Sequence, residues 1–201
     1  MPIYDNDGTS NYQIGTVYDN DGSTNYQIGK VYDNDGTTNS LIYTADLQII
    51  TNGAIQSGYS SFTHWYVSVN NSSNGYFHMY TTASQGTRHS ICKTGIDVTN
   101  FSKMVIVAKT ELDSADYYGS AMRDQMVGLI SDTTQDTNTE PLVVSYYTNR
   151  GGAGVKLLGT SDKTYTVDIS SLTGTKYIEF RIQSTGSGIV NNLYVKQLYF
   201  E

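Results

Sequence analysis

A single cysteine, Cys92, excludes an intrachain disulfide and a Cys-rich zinc centre. It reads as a small apolar residue inside a strand. Basic residues are scarce, 12 Lys and Arg against 19 Asp and Glu, for a net charge of −7. Without a basic stripe to neutralise phosphates, a nucleic-acid partner is excluded, and anionic membrane surfaces are disfavoured for the same reason. No apolar run approaches the ~18 residues needed to cross a membrane as a helix. The N-terminal residues Met1 to Asp7 lack the basic and apolar regions of a secretory signal, so the expectation is cytoplasmic synthesis with no signal peptide and no membrane insertion. Sustained helical periodicity is also missing. Glu111 to Val127 is the one stretch with room for a helix, and Tyr117-Tyr118-Gly119 interrupts it.

What the sequence does have is 18 Tyr, 19 Gly and abundant Thr, Ser and Asn. Thr and Tyr suit half-buried pleated strands, and Gly, Asn and Asp supply the turns between them. The fold class this implies is all-β. At 201 residues the chain has room for one well-buried domain and an appendage.

The appendage is a repeat. Ile3-Tyr4-Asp5-Asn6-Asp7-Gly8-Thr9 recurs as Val17-Tyr18-Asp19-Asn20-Asp21-Gly22-Ser23 and as Val31-Tyr32-Asp33-Asn34-Asp35-Gly36-Thr37, and Tyr4, Tyr18 and Tyr32 set a period of 14 residues. Asn-Asp-Gly is hairpin chemistry, because Gly reaches positive φ without a Cβ clash. One strand and one turn fill each period, so residues 1–45 are expected to form an antiparallel β-meander with strands at Tyr12–Asp19 and Tyr26–Asp33, each with a Gly near its middle. Large aliphatic residues there are few (Ile14, Val17, Ile28 and Val31), so the meander needs a partner to cover it. A homo-oligomer joined through the repeat is expected.

Residues 46–201 read as one jelly-roll-like β-sandwich of short strands separated by turn signals. Asn52-Gly53 and Asn74-Gly75 are turns, with strands at Thr63–Val69 and Tyr76–Thr82 around the second. Met104 to Ala108 is an apolar run suited to a strand covered on both faces. Ile178, Phe180 and Ile182 alternate with polar neighbours and share one face, and Leu193–Phe200 is the last strand.

Two sets of motifs carry a resemblance. The Tyr-Asp-x-Asp-Gly and Ile-Gly-x-Val-Tyr-Asp repeats of residues 3–43 resemble those of tail or minor structural proteins of Firmicutes phages and prophages. Gly95-Ile96-Asp97-Val98-Thr99-Asn100-Phe101-Ser102-Lys103 and Val167-Asp168-Ile169-Ser170-Ser171-Leu172-Thr173-Gly174 resemble loop-to-strand segments of jelly-roll carbohydrate-binding modules. The resemblance implies a non-enzymatic phage-type structural or attachment protein, found in the virion or outside the cell, with a cell-surface glycan and other virion proteins as partners, and, by analogy with tail fibres, a trimer as the favoured homo-oligomer. The alternative it leaves is a pure assembly protein without a glycan ligand.

Sugar rings stack on aromatic faces while flanking amides and charged groups take their hydroxyls. Tyr76, Tyr80, Tyr117 and Tyr118 are candidates; those singled out as a carbohydrate site are Trp65, Tyr66, Tyr146, Tyr147, Asn149 and Arg150. Trp65 also reads as a core tryptophan of a sandwich, and Tyr146-Tyr147 as an ordinary strand end before a mobile Gly151-Gly152-Ala153-Gly154 loop. The Asp comb, Asp5, Asp7, Asp19, Asp21, Asp33 and Asp35, offers oxygens to Ca²⁺, although turn formation alone accounts for it and no cofactor is required. His64, His78 and His89 form no ligand set and read as scattered surface residues. An enzymatic alternative would draw on Glu111, Asp113, Asp116, Asp124 and Glu140, but no nucleophile or phosphate-binding motif accompanies them.

Overall fold

The computed structural model describes the backbone of residues 3–6, 11–14, 18–20, 25–27, 30–34, 39–44, 46–65, 67–81, 86–110, 125–133, 144–184 and 191–201; side chains are described from 46 onward, except at 66, 70–73, 82–88, 111–124, 134–143 and 183–190. The chain divides into two compact units, Met1–Leu47 with Glu201, and Gln48–Phe200.

The first unit consists of antiparallel pairs. β1 (Ile3–Asn6) pairs with β2 (Asn11–Ile14), β3 (Tyr18–Asn20) with β4 (Asn25–Gln27), and β5 (Lys30–Asn34) with β6 (Asn39–Thr44). Each hairpin carries one Asn-Asp-Gly segment between its strands. Where an eight-residue strand was expected, the described backbone holds two shorter ones belonging to successive hairpins. Gly15 and Gly29 fall in the intervals between them, which lie outside the described residues. The Asp comb proposed for Ca²⁺ also lies among side chains outside the described set.

The second unit is a sandwich of two antiparallel sheets. Its strands are β7 (Leu47–Thr51), β8 (Ala54–Ile55), β9 (Phe62–Trp65), β10 (Val67–Ser73), β11 (Tyr76–Thr81), β12 (Gly86–Cys92), β13 (Ile96–Asp97), β14 (Lys103–Thr110), β15 (Gln125–Ile130), β16 (Gly154–Lys156), β17 (Lys163–Asp168), β18 (Thr175–Ser184) and β19 (Asn192–Phe200), with one short helix, α1 (Val144–Asn149). The first sheet runs β10-β11-β19-β14-β17, with β7 also on β19 and β8 on β7; the second runs β16-β15-β18-β12-β9, with β13 also on β18. Among the described residues no helix is long and apolar enough to cross a membrane.

Alternation builds the core between the sheets. Phe77, Met79, Met104, Ile106, Leu193, Val195 and Leu198 from the first sheet meet Val127, Leu129, Ile178, Phe180 and Ile182 from the second, all buried. Phe62, Phe77 and Phe180 form a triangle at its centre, with ring centroids 5.2 to 5.9 Å apart. Cys92 is buried as expected.

Two local devices fix the chain path. Asn52-Gly53 and Asn74-Gly75 hold φ of 48°, 75°, 52° and 80°, the doubly positive geometry of a tight hairpin turn. The two module-like motifs close in the same way: Asp97 Oδ1 accepts from the Thr99 amide and hydroxyl at 3.0 and 2.6 Å, and Asp168 Oδ1 from the Ser170 amide and hydroxyl at 2.9 and 2.7 Å. The intervening aliphatics, Val98 and Ile169, are fully buried. The loops are joined, since the Gly174 amide donates to Thr99 Oγ1 at 2.9 Å.

The strand expected over Thr63–Val69 is divided. β9 pairs with β12 in the second sheet and β10 with β11 in the first, so Phe62–Trp65 and Val67–Ser73 belong to different sheets, and Tyr66 lies outside the described residues. Such crossings make the corners of a sandwich.

Candidate functional site

The outer face of the second sheet, turned away from the inter-sheet core, is itself buried. With Ile178, Phe180 and Ile182 pointing inward, Tyr177, Glu179 and Arg181 must point out. Register aligns Trp65, His89, Arg181 and Met126 in one row across β9, β12, β18 and β15, and Thr63, Ile91, Glu179, Gly128 and Gly154 in the next. α1 covers this face. Its Tyr146 and Tyr147 join Ile91, Met126 and Ile130 in a buried cluster, with Trp65 and Tyr177 half-buried against it. Tyr147 lies flat over two glycines that face each other: a Cβ on Gly128 would come within 2.5 Å of its ring, and one on Gly154 within 2.3 Å.

Charged groups sit inside this aromatic lining. His89 Nδ1 is 2.9 Å from Glu179 Oε1, with the two side chains 3% and 0% exposed. The Arg181 guanidinium lies 3.7 Å from the centre of the Tyr146 ring, a desolvated cation–π contact. Trp65 stacks on His89 with centroids 4.4 Å apart, and Lys93 Nζ stands 5.8 Å from the indole. At the edge, Arg150 donates to the Tyr146 hydroxyl at 2.9 Å and to Asp132 Oδ1 at 2.8 Å. Burial, then the neighbouring Glu179 carboxylate, pushes the Tyr147 hydroxyl well above the usual phenol range.

Five buried atoms here have no hydrogen-bond partner among the described residues: His89 Nε2, Glu179 Oε2, Arg181 Nε and Nη1, and the Tyr147 hydroxyl. Each such group costs about 1–3 kcal/mol, and taking an ion out of water costs several more. Apolar residues of the same volume often serve a fold as well or better. A centre kept at this cost, combining donors, an acceptor and aromatic walls, has the chemistry to hold a hydroxyl-rich ligand.

Of the residues singled out in the sequence, the structure brings Trp65, Tyr146, Tyr147 and Arg150 together. Asn149 is exposed at the end of α1, and Tyr66 lies outside the described residues. Tyr146 and Tyr147 are 3% and 0% exposed, so they line the cover of the site. The strand end expected there is a helical turn, and the glycine loop after it is not loose: Gly152 packs on the Leu129 carbonyl, and Gly154 opens β16. Of the histidines, read from the sequence as scattered surface residues, His64 is exposed, His78 is half-buried and only His89 is buried. His89 is buried on Glu179, His64 Nδ1 is 2.7 Å from Ser90 Oγ, and His78 Nε2 is 2.7 Å from Asn192 Oδ1. Tyr117, Tyr118, Glu111, Asp113, Asp116, Asp124 and Glu140 lie outside the described residues. The described residues hold no group of three or more His, Cys, Asp or Glu suited to a metal.

Tyr76 and Tyr80 belong to the outer face of the first sheet, half-buried beside His78 and Tyr194. His78 stacks on Tyr194 at 4.4 Å and on Tyr80 at 5.1 Å, and Lys109 Nζ lies 4.5 Å over Tyr76 and 5.3 Å over Tyr194. These rings use their faces on one another and on a lysine, which leaves little flat surface for a sugar.

No family model matches the sequence. No curated protein matches it either. Among solved structures the chain is similar to a family 29 carbohydrate-binding module at 14% identity and a TM-score of 0.48, covering 78% of this chain and 87% of that one. It is also similar to TmCBM61 in complex with β-1,4-galactotriose, at 10% identity and a TM-score of 0.43 over 77% and 97% of the two chains. A third similarity is to the Endo-D glycoside hydrolase domain from Streptococcus pneumoniae R6, at 14% identity and a TM-score of 0.43, over 70% of this chain and 21% of that one.

Proposed function

We propose that the chain is a non-enzymatic attachment protein of phage type whose sandwich binds cell-surface carbohydrate at the outer face of its second sheet. The observation that carries the carbohydrate reading is the buried centre of His89, Glu179 and Arg181 beneath Trp65, Tyr146 and Tyr147, with hydrogen-bonding atoms that have no partner among the described residues. Trp65 stands half-buried on the outermost strand of the sheet, next to exposed Lys93, so ligand approaches from the β9 side. Hydrolysis would need a second carboxylate across a cleft. Among the described residues Glu179 is the buried carboxylate of the centre, and it is engaged by His89.

The attachment setting is supported by the resemblance of the Tyr-Asp-Asn-Asp-Gly repeats to phage tail proteins. Separate two-stranded hairpins are marginal alone, which favours assembly through the repeat, with three copies the expected number. A glycan array on the full chain tests the carbohydrate reading. Binding that falls about tenfold or more in Glu179→Gln and in Trp65→Ala, with circular dichroism unchanged, is the expected result; an array without signal sinks it. The second reading, an assembly protein with no glycan ligand, draws on the half-exposed Tyr80-His78-Tyr194 stack, a surface suited to another protein. Binding of purified tail proteins that is lost in Tyr194→Ser and retained in Glu179→Gln would favour it.

A further inference from the structure

The charges on the outer face of the second sheet do not cancel among themselves. Its described carboxylates are engaged: Glu179 by His89, Asp132 by Arg150, and Asp97 by the Thr99 amide and hydroxyl. Lys93 and Arg181 form no ion pair among the described residues. Arg181 is 1% exposed, and its Nε and Nη1 have no hydrogen-bond partner among the described residues. A buried cation without a carboxylate against it keeps more of its field than one in water. Arg181 pairs with His89 and His89 with Trp65, so this charge lies two strands in from the rim, about 10 Å by strand spacing.

Lys93 stands at the rim itself. It directly follows β12, its amide donates to the Ser61 carbonyl at 2.6 Å, and its side chain is exposed. Its ammonium lies 5.8 Å from the centre of the half-buried Trp65 ring, whose neighbour on one face is His89. An accessible aromatic edge is thus flanked by one accessible cation and backed by one buried cation. The acidic surplus of the chain falls almost wholly in residues 1–47, while acidic and basic residues balance between 48 and 200. The sandwich as a whole therefore does not repel an anion, and this rim attracts one.

We infer that the sugar met at Trp65 is acidic, a pyranose carrying one carboxylate of the uronic acid kind, and that Lys93 is the residue that selects it. The inference rests on the carbohydrate reading above and adds the charge class of the ligand. The ring's C–H face lies against the indole, as for any pyranose. The carboxylate projects from the ring edge and takes a charge-assisted hydrogen bond from Lys93, which a neutral hydroxymethyl group at the same carbon cannot match. A single accessible ammonium suits a monoanion, whereas a phosphate ester calls for a cluster of donors. Both contacts are made at the exposed edge, with α1 in place over the buried centre.

The test uses the full chain near neutral pH and titration calorimetry with matched hexasaccharides, each hexauronate of gluco, galacto or manno configuration beside its neutral counterpart. In at least one pair the hexauronate should bind about fivefold or more tightly than the neutral sugar, the scale that one ion pair supplies. That preference should shrink in Lys93→Gln, shrink further in Lys93→Glu, and weaken as salt is added. Lys93 is exposed, so neither variant empties the core. Neutral sugars that bind as tightly as their hexauronates overturn the inference while the carbohydrate reading stands. A preference for hexauronates that both Lys93 variants leave intact, or that salt does not touch, overturns the role of Lys93. Binding of no sugar in either set overturns the carbohydrate reading and the inference together.

Discussion

Glu179 and Arg181 are the positions where stability and chemistry pull apart. Both are buried on a face that packs against aromatic side chains, so leaving one without the other strands a polar group. Glu179→Ala should cost about 3 kcal/mol in urea unfolding, through loss of the His89 contact and exposure of a void. Replacing both with apolar residues of similar size, Glu179→Leu with Arg181→Met, should instead match or exceed wild-type stability by about 1–4 kcal/mol while abolishing glycan binding. A double variant that unfolds as readily as Glu179→Ala would show that the centre is structural. None of this was legible from residue types. The period-2 pattern around Ile178, Phe180 and Ile182 assigns the inward face, but it is silent on whether something covers the other. Trp65, Tyr146, Tyr147 and Arg150, singled out in the sequence as aromatic rings and a polar glycine loop, lie together on one face, and whether that face binds a sugar is the proposal tested above.

At the scale of elements, the sequence read strands well and joints badly. β14 and β19 match their expected spans, and β18 carries the expected alternation, because apolar runs and period-2 patterns are strong signals. α1 was missed because six residues hold fewer than two turns and show no period. The split of Thr63–Val69 into β9 and β10 went unseen because both halves have the same strand-forming composition, and only their partners differ. The turns offer a graded check on the backbone. A Cβ at Gly75 meets nothing within 4 Å, whereas at Gly53 it falls 2.3 Å from the Tyr76 backbone. Gly75→Ala should therefore cost about 1 kcal/mol, from the left-handed conformation alone. Gly53→Ala should cost clearly more, because main chain must shift. Similar denaturation midpoints for the two would contradict the close approach at Gly53. Ile169→Ala, which empties the plug of one motif loop, should cost about 2–4 kcal/mol by the same measurement.

For the whole molecule, the 14-residue period was legible and its pairing was not. Asn-Asp-Gly marks a turn without saying whether the strands on either side belong to one sheet or to separate hairpins, since both satisfy the same local chemistry. The proposed assembly through the repeat is decided by light scattering on the full chain and on residues 48–201. An oligomer that becomes monomeric on truncation is expected. A monomeric full chain, or an oligomer that truncation leaves unchanged, would sink the proposal.

The stacking of Trp65 on His89 has a practical side. Trp65 is the sole tryptophan of 201 residues, so light absorbed selectively by indole is re-emitted from one spot, at the rim of the buried centre. Anything that moves the His89 ring or admits water beside it alters that emission, with no dye or label attached. The protein carries its own optical gauge at the place where its ligand is proposed to arrive.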